Sequence, residues 1–227
     1  MPKRRATLIG FLAALVFVGA CSLEPPSQDS QQALVSQAAS TVRDMQRDPD
    51  FTVMPLYFER ARAIVVFPEL IRGGFIVGGE GGQGVLVVRR DDGSWGYPVF
   101  IDTAGGSFGL QIGGQVSETV IAVMTEEGLD ALLNRQVTFG ADANVAVVNA
   151  GVGIEARTGL ALNADMYAFS RNRGLFAGGT LEGSGVSLNE PAARAYYGQG
   201  ASSQAVIDGQ YSNPGADSLR QALSGQV

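Results

Sequence analysis

Histidine is absent from the 227-residue chain, Lys3 is its only lysine, and Cys21 is its only cysteine. Each gap removes chemistry. Without histidine there is no Ser-His-Asp or Cys-His nucleophile, no imidazole general base and none of the usual zinc ligand sets. Without a lysine beyond the leader, Ser-Lys catalysis goes too, and one thiol cannot form an internal disulfide. Charge is sparse at 17% of residues, against about 25% in ordinary globular chains. Beyond the first 20 residues, 13 cations, all arginine, face 22 acids. Such an acidic chain lacks the basic surface that releases phosphate counterions, so nucleic acid is not an expected partner.

Glycine is abundant, at 31 residues. It has no three-residue period, which excludes collagen. Gly-Gly pairs begin at Gly73, Gly78, Gly81, Gly105, Gly113 and Gly178. They stand between short apolar runs, as expected for turns, bulges and close backbone approaches in a sheet.

The chain opens MPKRRATLIGFLAALVFVGAC. Three positive charges, an apolar run from Leu8 to Val18 and small residues before Cys21 describe a secretory signal peptide. The apolar run rises only about 16 Å as a helix, too little for a hydrocarbon core of about 30 Å. Val18-Gly19-Ala20-Cys21 resembles the bacterial lipobox, which implies acylation at Cys21. Several acyl chains would make that anchor nearly permanent. The expected organisation is a signal peptide over 1–20, a lipidated tether over 21–29 containing Pro25-Pro26, and one domain over 30–227. Ser22, in place of the aspartate that retains lipoproteins at the inner membrane, sets the expected address at the periplasmic face of the outer membrane.

Apolar spacing predicts a helix from Ser30 to Asp48, capped by Ser30, and a short one from Pro55 to Arg62. Period-two and short apolar runs then predict strands over Ala63–Phe67, Phe75–Gly78, Val85–Arg90, Trp95–Ile101, Phe108–Ile112, Val116–Thr125, Asn144–Ala156, Leu160–Ser170 and Leu175–Leu181. Asp92-Gly93 marks a tight hairpin. Helices are expected over Glu126–Asn134, Pro191–Tyr197 and Ala216–Leu223. The fold class is α+β and β-dominated: a glycine-rich, mostly antiparallel sandwich or barrel-like sheet with N-terminal and C-terminal helices.

Gly79-Glu80-Gly81-Gly82-Gln83-Gly84 matches the dinucleotide fingerprint in letters only. The β-branched run Val85-Leu86-Val87-Val88 follows where a helix should open, so the segment reads as strand–loop–strand. The acids are scattered. Glu126-Glu127 reads as helix-start chemistry and Asp91-Asp92 as turn chemistry rather than as catalytic or metal pairs. Spacing alone does not bring Asp142, Asn144, Glu155 and Asp165 together, and no cofactor is expected. Arg60, Arg62 and Arg72 flank one apolar stretch, and arginine forks suit phosphate headgroups. These three are the candidate headgroup contacts, set against the plainer reading of solvated strand ends.

Several segments together resemble the SYLF domain, also called the Ysc84 or Las17-binding actin-regulator domain. They are Ala63–Pro68 with the glycine loop to Gly84; Asp92–Pro98, containing Gly93-Ser94-Trp95; Gly109–Gly113; Val137–Gly140; Tyr167–Ser170 through Gly174-Leu175-Phe176-Ala177-Gly178; and Ala195-Tyr196-Tyr197-Gly198. The resemblance implies a non-catalytic lipid-binding module, in a family with eukaryotic members that bind phosphoinositide membranes and actin. An exported bacterial domain would meet neither actin nor, ordinarily, phosphoinositides. The reading is therefore an envelope lipoprotein that binds phospholipid or a related amphiphile. The alternative is a protein-interaction module for which the lipid is only a tether.

Overall fold

In the computed structural model, the structure describes residues 25–74, 77–108, 113–134, 137–138, 145–149, 164–174 and 184–225. The leader, Cys21, and the expected strands Phe108–Ile112 and Leu175–Leu181 lie outside the described residues, apart from Phe108. Among the described residues, no helix is long and apolar enough to cross a membrane.

Helix α1 spans Gln28–Arg47. Its cap is Ser27 rather than the expected Ser30. Ser27 Oγ accepts from the Ser30 amide at 3.1 Å, and Ser30 Oγ accepts from the Ser27 amide at 3.0 Å. Ser30 is thus the third residue of a capping box, and the start moves upstream. Helix α2 covers Met54–Arg60.

The sheet follows, with β1 Ala63–Gly74, β2 Val77–Val88, β3 Val99–Phe108, β4 Gly113–Val123, β5 Val137–Thr138, β6 Val145–Asn149, β7 Met166–Gly174 and β8 Ser184–Leu188. Helix α3 spans Glu126–Leu133, and α4 Glu190–Tyr197, α5 Ser203–Ile207 and α6 Asp217–Leu223 end the described fold. The strands form one sheet in the order β5-β8-β3-β2-β1-β4-β7-β6. Among the described residues, only the β6–β7 pairing is parallel. The mostly antiparallel α+β expectation holds, with the described strands in one sheet.

Several boundaries differ from expectation. The glycine run Gly78–Gly84 lies inside β2, paired to β1 on one side and β3 on the other, and is not a loop. Residues from Trp95 to Pro98 precede β3, and Trp95 contributes only an isolated bridge to Arg89. Strand β8 and helix α5 carry too few apolar residues to show a period.

Alternate residues of the central strands enter two apolar layers, one on each face of the sheet. Ile64, Val66, Val85, Val87, Phe100, Val120, Ala122 and Phe169 pack beneath α1, α2, α4 and α6. Ala63, Val65, Phe67, Leu86, Ile101, Ile121 and Val123 face the other way, with Leu129 and Leu132 of α3 and Val206 of α5. Burial on both faces is why these strands read as continuous apolar runs. Helix α1 is tied to the C-terminal segment by Gln32, Arg43 and Gln46, which donate to the carbonyls of Gly215, Ser218 and Ala222.

The register of β1 shifts between Phe67 and Leu70, at Pro68. Proline cannot donate to a ladder and is at home in such a bulge. The extra residue reverses the alternation. Leu70 therefore joins Phe67 on the second face, and Ile71 is left 55% exposed.

Candidate functional site

The three candidate arginines do not converge. Arg60 is exposed at the end of α2. Arg62, just before β1, forms an ion pair with Glu126 at the start of α3, and both side chains are about half exposed. Arg72 lies ten residues further along, and at about 3.3 Å per residue β1 separates it from Arg62 by roughly 30 Å. Its guanidinium pairs with Glu80 of β2, the two side chains being 18% and 6% exposed. So Arg60 and Arg62 share one end of the sheet, while Arg72 is turned inward at the other.

Arg72 belongs to a row that the strand register assembles. Gly174 of β7 pairs with Gln115 of β4, Gln115 with Arg72, Arg72 with Glu80, Glu80 with Gly105 of β3, and Gly105 with Ser184 of β8. Cross-strand partners point to the same face, so Gln115, Arg72, Glu80 and Ser184 share one surface. Ser184 Oγ donates to Glu80 Oε1, and Arg72 donates to Glu80 Oε2. Gln115 and Ser184 are each 4% exposed. The Gln115 Oε1 atom is buried without a hydrogen-bond partner. Glycine at 105 is a steric requirement of the row, since a Cβ there would lie 2.8 Å from Ser184 Oγ and 3.0 Å from its Cα. Individual residues of this row could be noticed in the sequence, but nothing along the chain brings 72, 80, 115 and 184 together.

Among the described residues, the resemblance segments Asp92–Pro98 and Ala195–Gly198 serve as structural locks. Gly93, at φ 83°, closes the turn that sequence placed between Arg90 and Ser94. Arg89 stacks on Trp95 with 4.1 Å from guanidinium carbon to ring centroid. It also donates to the carbonyls of Phe58, Ala61 and Gly93, binding the end of α2 to the hairpin. Burial pulls the Arg89 pKa down. Tyr197 Oη donates to the Pro98 carbonyl at 2.7 Å, and Tyr196 Oη to Gln32 Oε1 at 2.9 Å. Burial raises the pKa of both phenols, that of Tyr196 to about 12. A cleft of about 760 Å³ opens beside this region, lined in part by Phe58, Arg89, Trp95 and Arg220. Arg89 already bonds three carbonyls there, and Arg220 donates to the Trp95 carbonyl and to Asp217. Among the described residues no group of histidine, cysteine or carboxylate side chains could hold a metal.

Comparison with known proteins agrees with the motifs. The family model for Ysc84, described as Las17-binding protein actin regulator, matches residues 104–226. An SH3 domain-containing YSC84-like protein 1 from Xenopus laevis is 32% identical over 174 residues, 76% of this chain and 51% of the relative. The Homo sapiens protein of that name is 28% identical over 205 residues, covering 87% and 60%. Protein YSC84 of Saccharomyces cerevisiae is 28% identical over 182 residues, covering 78% and 39%. The chain thus spans roughly half the length of these relatives, none of which is named as an enzyme. With more than half of its residues inside the family model, the chain belongs to the Ysc84 family.

Proposed function

We propose that the protein is a non-catalytic lipid-binding lipoprotein of the bacterial cell envelope, anchored by acylated Cys21 at the periplasmic face of the outer membrane. The observation that carries this reading is the short distance between anchor and fold. Helix capping begins at Ser27, six residues past Cys21, and six extended residues span at most about 20 Å. A domain so tethered would work against a bilayer surface. Arg60, exposed beside the 60% exposed Leu56 on α2, is the best placed of the candidate headgroup contacts. The relatives' association with actin regulation, as the family description words it, does not carry over to an exported chain.

Labelling with radioactive palmitate in the native host should mark the wild-type chain and spare Cys21→Ser. Soluble Cys21→Ser protein should bind anionic liposomes, and Arg60→Gln should weaken that binding about fivefold, the worth of a basic residue near an anionic surface. An unlabelled wild-type chain would end the anchoring claim, and liposomes left unbound would end the lipid-binding claim.

A second reading, a protein-interaction module, has one observation in its favour. Ile71 and Val116 are paired across β1 and β4 and exposed at 55% and 36%. Beside them runs a groove of about 510 Å³ containing Asp44, Glu69 and Glu118. A specific crosslinked partner through this face, with no liposome binding, would favour it.

A further inference from the structure

We infer that the buried row Gln115–Arg72–Glu80–Ser184 is the headgroup subsite of the domain, and that it selects an amphiphile whose headgroup donates a hydroxyl hydrogen bond. This deepens the lipid-binding reading and rests on it. A buried polar atom without a partner keeps the full cost of its lost hydration, so side chains rarely leave one in place without a reason. Gln115 is 96% buried and presents such an atom, Oε1, from the middle of a sheet whose register could have held an apolar residue there. Its neighbours set the selectivity. Arg72 and Glu80 form an ion pair, and Ser184 holds the other Glu80 oxygen. The row therefore has little net charge to offer a phosphate. What it offers is an acceptor, Gln115 Oε1, which a hydroxyl donor would satisfy.

The adjoining row supports an amphiphile rather than a free polyol. Going toward the apolar end on the same face, the register gives Ser117, Leu70, Gly82, Thr103 and Val186. Leu70 and Val186 belong to the apolar layer that also holds Phe67 and Ile101. One face of one sheet thus passes from a buried polar row to a buried apolar layer within two residues.

The test uses the full chain carrying Cys21→Ser, with short-chain dihexanoyl lipids as probes. Phosphatidylglycerol, whose headgroup has hydroxyls, should bind. Phosphatidylcholine, which has no headgroup donor, should bind at least about tenfold more weakly, and so should free glycerol 3-phosphate, which lacks the acyl chains. Gln115→Met should lose about tenfold in phosphatidylglycerol affinity while its unfolding midpoint stays level or rises, because removing an unsatisfied acceptor relieves the fold. Gln115→Glu keeps acceptor oxygens and should retain binding, which separates recognition from misfolding. Equal affinity of wild type and Gln115→Met for phosphatidylglycerol would overturn the inference and leave the lipid-binding reading standing. Equal binding of phosphatidylcholine would do the same, and tight glycerol 3-phosphate binding would make this a polyol site instead. Failure of wild type to bind any of the lipids would remove both.

Discussion

The two ends of the central strands are built on opposite rules. At one end, Ala63–Phe67, Val85–Val88, Val99–Ile101 and Val120–Val123 are almost wholly apolar, and layers of side chains bury both faces. At the other end the same strands run through Gly73–Gly74, Gly78–Gly82, Gly105–Gly106 and Gly113–Gly114. There, one face is exposed at Ile71, Gly73, Gly79, Ala104, Gly106 and Gly114, and the other carries the buried polar row. Backbone pairing resumes beyond the bulge at Pro68 and runs through both ends, so hydrogen bonding does not distinguish them. Side-chain packing does. The apolar end is filled with side chains on both faces, and the glycine end holds polar groups on one face and bare backbone on the other.

The sharpest way to break the comparison is to remove packing at the apolar end. Phe169 is fully buried against Phe51 and Tyr57, with ring centroids 6.3 Å and 5.4 Å away. Phe169→Ala should cost about 3–5 kcal/mol, measured by urea unfolding. A loss below 1 kcal/mol would mean that this end does not carry the stability assigned to it.

The boundary between the ends is set by Gly84. A Cβ there would lie 2.5 Å from the Phe67 ring and 2.6 Å from the Val66 carbonyl oxygen. The carbonyl belongs to the sheet backbone and cannot swing away. Gly84→Ala should therefore destabilise by about 1–3 kcal/mol through overpacking, and thermal unfolding of this single variant checks it.

Much of the apolar end was legible in the chain, because residues buried on both faces leave uninterrupted apolar runs such as Ala63–Phe67 and Val85–Val88. The glycine end was not. Glycine has no side chain to show a two-residue period and a poor intrinsic preference for strands, so Gly79–Gly84 read as a loop. It forms a strand because β1 and β3 flank it on both sides. Arg72 was grouped with Arg60 and Arg62 because all three flank one apolar stretch, and the structure sets it at the far end of β1, turned inward beside Glu80. Its inward direction depends on the bulge at Pro68, and its partners are 8, 43 and 112 positions away. The Ysc84 motifs survived this difficulty because Trp95, Tyr196 and Tyr197 are structural locks with demanding neighbours. Such locks leave recognisable letters, whereas a register-built row does not.

Alkaline pH offers a smaller probe of the helix layer over the apolar end. Tyr196 lies against Phe100 at 5.3 Å between ring centroids, and burial raises its pKa from 10.0 to about 12. The unfolded chain ionises this phenol first. Its contribution is complete below pH 10 and declines as pH climbs from 10 toward 12. The unfolding midpoint should fall across that window, and Tyr196→Phe should fall less steeply, Tyr197 supplying the remaining slope. An unchanged slope would detach α4 from this account.

The smallest expected effect lies at the glycine end itself. A Cβ on Gly79 would meet nothing nearer than the Gly105 carbonyl oxygen at 3.9 Å, and one on Gly114 would meet nothing within 4 Å. Neither residue has a positive φ. Gly79→Ala and Gly114→Ala should change stability by no more than about 0.5 kcal/mol, with any gain coming from a less flexible unfolded chain. If both instead match the loss at Gly84, glycine there answers a packing demand, and the contrast between the two ends collapses. If both are neutral yet weaken lipid binding, the bare backbone at this end is kept for what approaches it, since the folded chain alone has no need of it.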